Sequence, residues 1–109
     1  MKVNILGTIY TVFERFPSDD EKLKSCDGYC DKTTKEIVVT KETPDSELGN
    51  WGIYRNKILR HEIIHAFLFE SGLHENFKHE EWGHDETTVD WIACQFPKIL
   101  DVYKKVGCI

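Results

Sequence analysis

The chain has 109 residues, 40% of them apolar and 12% aromatic, and carries a formal net charge of −5. That length fits one domain around a single core and leaves no room for a second. The acidic balance speaks against nucleic acid or an anionic membrane as partner, because both are bound through clustered Lys and Arg.

Residues 1–7 include one basic residue and no long apolar core, so they do not read as a signal peptide. No apolar run approaches the ~20 residues of a bilayer span. A soluble, cytoplasmic protein is therefore expected, with Cys26, Cys30, Cys94 and Cys108 as reduced thiols.

In chain order, residues 3–16 carry Ile, Tyr, Thr, Val and Phe in partial alternation broken at Gly7, the pattern of a strand or a bent strand pair. Residues 17–25 are polar and acidic and read as a loop or a short helical turn. Two extended pieces follow, residues 28–30 and 36–40, joined across residues 32–35 as a hairpin. After a turn-rich connection, residues 51–71 have helical character and stop at Gly72, a C-terminal cap. Apolar side chains occupy much of this helix's circumference, which predicts burial on most sides. Residues 73–83 are rich in His, Glu and Lys and read as a surface loop. Asp85 can cap a second helix running to about residue 96, and Pro97 either kinks it or opens a further helical piece to residue 105. Cys94 is expected to pack within that helix as a small apolar residue. The sum is one α+β domain over residues 1–109, with a small antiparallel or mixed sheet of about three strands packed on two helices.

The first helix carries His61-Glu62-Ile63-Ile64-His65. On a helix, positions 61 and 65 project about 40° apart, so both imidazoles can address one ion. Glu62 lies about 100° round, beside that ion and placed to take a proton from a zinc-bound water. A catalytic zinc takes three protein ligands, so one more is needed. Glu70, His74, His79, His84 and Glu86 are the candidates. Glu70 is rotated about 180° from the ligand face and is expected to be a solvated or ion-paired carboxylate. His74, His79 and His84 sit in a polar stretch and read as solvated loop residues. H-E-x-x-H-x-x-G-x-x-H fails at Leu68 and Ser71. Glu86 can complete the site from the second helix. Asp90, one turn on, can accept the outer N–H of a ligand histidine and fix its tautomer. His84, two residues before Glu86, is the first choice for a cation beside the reaction's oxyanion, with Tyr29 and Tyr54 as further candidates.

His61, Glu62, His65, Glu86 and Asp90, with twenty residues between His65 and Glu86, resemble the gluzincin branch of the zincin metallopeptidases. That branch carries H-E-x-x-H followed by E-x-x-x-D on a second helix. In length the chain is similar to the very small gluzincins, including those encoded in prophages, and the match covers about residues 51–96. The resemblance implies a short sheet over an active-site helix and a glutamate helix, with zinc held between them by His61, His65 and Glu86. It implies a peptide or protein substrate, endopeptidase chemistry with Glu62 as base, and an edge strand that pairs with extended substrate. Glu36–Thr40 is the expected edge strand. The alternative is a zinc-stabilised interaction or regulatory module without turnover, because so short a chain has little left to wall a cleft.

Overall fold

A computed structural model describes residues 1–72 and 86–109. β1 (Lys2–Ile5) alternates, with Val3 and Ile5 buried and Lys2 and Asn4 exposed, so one face of the sheet turns to the core from the start. Leu6 and Gly7 then take positive φ values of 52° and 95°. Two such residues make the tight turn that matches strand twist, and Asn4 Oδ1 braces it by accepting the Gly7 N–H at 2.7 Å. Residues 3–16 are thus two strands, β1 and β2 (Thr8–Arg15), and with β3 (Gly28–Asp31) and β4 (Glu36–Thr40) the sheet has four strands rather than about three.

The strand order is β1-β2-β4-β3; β2 and β4 run parallel, and the two outer pairs are antiparallel. Glu36–Thr40 is therefore an interior strand, not the edge strand that the resemblance implied. β2 claims its free side, and Ile37, Val38 and Val39 are all fully buried. Three consecutive apolar residues without alternation mark a strand covered on both faces. Among the described residues the edges are β1 and β3. Between β2 and β3, a 3-10 turn at Glu21–Lys24, capped by Asp20, buries Leu23.

α1 (Trp51–Ser71) begins where Asn50 Oδ1 accepts the Ile53 N–H at 3.2 Å, and it ends at Gly72 in the left-handed conformation. It is buried along one broad side rather than around most of its circumference. Ile58, Leu59, Glu62, Ile63, Ala66 and Phe67 face the protein, whereas Ile53 is 69% exposed. α1 lies across β3 and β4, and α2 (Glu86–Val106) packs on β1.

Pro97 neither ends α2 nor divides it into two helices. Ile99, Val102, Tyr103 and Val106 recur at helical spacing and are buried in the core, so packing holds the helix together beyond the proline. Cys94 is exposed instead of packed, because it projects away from that apolar stripe. Trp91 Nε1 donates to Ser71 Oγ at 3.2 Å, and Tyr103 OH donates to the Arg60 carbonyl at 3.4 Å, so α2 runs antiparallel to α1. Past α2, Cys108 is buried and its carbonyl accepts from Arg60 Nη1 at 2.7 Å. Arg60 lies about 100° round α1 from His61. No described helix is long and apolar enough to cross a membrane.

Glu70 ties the end of α1 to the sheet. It accepts from Thr8 Oγ1 at 2.9 Å, Tyr10 OH at 2.7 Å and Lys35 Nζ at 2.5 Å. Of the two roles open to it, the ion-paired one is what the fold adopts.

Candidate metal centre

α1 brings His61 and His65 together as its periodicity demands. The two Nε2 atoms stand 3.1 Å apart, and the rings meet edge to face with centroids 4.8 Å apart. A tetrahedral zinc at about 2.0–2.1 Å from each nitrogen would set them about 3.3 Å apart, so the pair has close to the spacing of two ligands on one ion. His65 also stacks on Phe69, with ring centroids 6.2 Å apart.

Glu62 is on the protein side of this pair and is only 7% exposed. Among the described residues its carboxylate makes no hydrogen bond. Burial pushes its pKa up, and the neighbouring His61 opposes that rise. A carboxylate held in this way is a better proton acceptor than a solvated one, because water does not stabilise its charge.

β3 passes directly beside Glu62. At Gly28 a Cβ would stand 2.6 Å from Ile58 Cγ2, 3.0 Å from the Val38 carbonyl and 3.3 Å from Glu62 Cγ. Only glycine lets the edge strand approach α1 so closely. Gly28→Ala is expected to lower unfolding stability by about 1–3 kcal/mol; a thermal denaturation midpoint equal to that of the wild type would refute the tight packing. Two residues along β3, Cys30 is half-buried with its thiol pushed up to about 12, first by burial and then by the Glu62 charge.

Neither tyrosine considered for the oxyanion has an uncommitted hydroxyl. Tyr29 OH donates to Asp20 Oδ2 at 2.6 Å, and burial with that bond pushes its pKa up to about 12. Tyr54, two turns before His61 on the same face, donates to Asp27 Oδ2. Asp27 immediately precedes β3, so the Tyr54 bond also fastens the edge strand to α1.

No third His, Cys, Asp or Glu side chain joins the pair among the described residues. Glu86 opens α2, and Asp90 follows one turn later in the same helix. Their side chains, and His74, His79, His84 and the cap residue Asp85, lie outside the described residues. The Trp91 bond to Ser71 nonetheless sets the first turns of α2 beside the end of α1 that carries His65. No family model matches the chain, and no curated protein or solved structure matches it either. Chemistry at this site is therefore inferred from its own residues and geometry.

Sequence reasoning missed Gly28 and the position of β3. The available signal was a glycine opening a strand, which often marks a close backbone approach.

Proposed function

We propose that this protein is a zinc-dependent metallopeptidase with a minimal gluzincin site. The observation that carries the proposal is the juxtaposition of two histidine Nε2 atoms at ligand spacing with a buried Glu62, directly beside an edge strand. His61 and His65 would hold the metal, with Glu86 as third ligand and Asp90 orienting one histidine. When bound, zinc supplies a Lewis acid that polarises a carbonyl and makes water more acidic.

The chain's own groups do the rest. β3 has an unpaired side among the described residues, and an extended peptide can add to it by backbone hydrogen bonds. Glu62 takes a proton from the attacking water and passes it to the departing amine. Zinc analysis of protein purified without a histidine tag tests the site. One zinc per chain is expected for the wild type, and His65→Ala should lose most of it. Equal zinc in both would overturn the ligand assignment.

One observation favours the second reading, a zinc-stabilised interaction module without turnover. Tyr29 and Tyr54 are both committed to aspartates, which leaves neither hydroxyl free for a developing oxyanion. Full zinc occupancy with no cleavage of unstructured protein substrates would select that reading.

A further inference from the structure

Beside β3 lies a pocket of about 390 Å³ whose lining includes Tyr29, Cys30, Asp31, Phe69, Lys22 and Lys32. Tyr29, Cys30 and Phe69 make much of this lining apolar, and Lys22, Lys32 and Asp31 bring charge to it. Asp31 accepts from the Thr33 and Thr34 N–H groups at 2.9 and 3.3 Å and from Thr33 Oγ1 at 2.5 Å, which holds it ionised, and it pairs with Lys22 Nζ at 3.5 Å, so these two charges offset each other. Lys32 makes no ion pair among the described residues. Its Nζ stands 5.4 Å from the centroid of Phe69, the ring that stacks on His65. The pocket thus neighbours the histidine pair through Phe69, and among the described residues the Lys32 charge is not offset.

Its distance from the pair sets a register. Phe69 follows His65 by four residues, about 6 Å along the helix axis. An extended peptide advances about 3.3 Å per residue, so the side chain facing this pocket stands about two residues from the one level with His65.

We propose that the pocket is an acidic-residue subsite: a peptide added to the edge of β3 places a Glu or Asp side chain beside Phe69, against Lys32. The methylenes of a glutamate match the apolar part of the lining, and its carboxylate meets the Lys32 ammonium. An aromatic side chain fits less well. It brings no charge to pair with Lys32, and stacking on Tyr29 or Phe69 would compete with the lysines that stand 4.7 and 5.4 Å from those rings. Placement of the acid about two residues from the bond to be cut rests on the peptidase reading; the binding preference does not.

Calorimetric titration of the zinc-free protein with short unstructured peptides, identical except for Glu, Gln, Lys or Phe at one position, tests the subsite. The Glu peptide is expected to bind about fivefold tighter than the Gln peptide at low ionic strength, with the difference shrinking as salt is added. Lys32→Glu, a change at an exposed position, should reverse the order and favour Lys over Glu. Equal affinities for Glu and Gln, or a preference for Phe, would overturn the proposal. Cleavage of the same peptides by zinc-loaded protein separates the two ideas. A Glu preference in binding with no peptide cut would defeat the peptidase reading alone, whereas cleavage of all peptides without a Glu preference in binding would defeat the subsite alone.

Discussion

Glu62→Gln is expected to lower peptide turnover by about 10²–10⁴-fold while leaving zinc at one ion per chain. The substitution is close to isosteric, so the contacts that bring Gly28 against α1 survive it. What it removes is the basic oxygen. Because Glu62 is buried and its charge is disfavoured there, the neutral amide should not destabilise the fold, and the thermal midpoint should stay level or rise. Kinetics on an unstructured protein, with zinc content measured on the same samples, read all three effects. Undiminished turnover would remove Glu62 as the base, and loss of zinc would make it a ligand instead.

Glu70→Ala should cost about 2–4 kcal/mol of stability, the largest expected loss outside the core. One carboxylate there serves Thr8, Tyr10 and Lys35, and the alanine would strand all three against a partly buried surface. The pH dependence follows from the same cluster. Burial by itself would raise the Glu70 pKa, but the bonds from Lys35, Tyr10 and Thr8 outweigh it and hold the folded value below the ordinary 4.5. That stabilisation is present above pH 4.5 and is lost as pH falls through the lower folded value. Tyr10 acts at the other end. Burial and the Glu70 bond raise its pKa above the ordinary 10.0, so its contribution is complete below pH 10 and fades as pH rises beyond it. Denaturant unfolding across pH should show the wild type weakening at both extremes and a flatter acid limb in Glu70→Ala. A stability change below about 0.5 kcal/mol would show that the cluster is decorative.

Much of the site could be read before any fold was known, because its geometry is helical and local. A run from Trp51 to Ser71 closed by Gly72 is enough to put His61 and His65 one turn apart on one face, and to turn Glu70 away from them. Gly7 was equally visible as a break, and the paired positive φ values at Leu6 and Gly7 made it a hairpin turn. The α+β composition of the fold followed from the same local periodicities.

Everything that the sequence missed depends on partners remote along the chain. Glu36–Thr40 was the edge strand that the resemblance implied, but β2 pairs with its free side, and strand order is decided by which distant segment docks, not by propensity within the strand. Cys94 lies on the outer side of α2 because the buried stripe of Ile99, Val102, Tyr103 and Val106 sets the rotation of the whole helix. Sequence alone determined the paired histidines and the carboxylate between them, since helix periodicity needs no other part of the chain. Tertiary structure decided what surrounds them: the burial of Glu62, the Gly28 approach that brings β3 against it, and the pocket where Phe69 meets Lys32. Burial, strand order and close approach are properties of surfaces brought together from across the chain, and no local pattern encodes them.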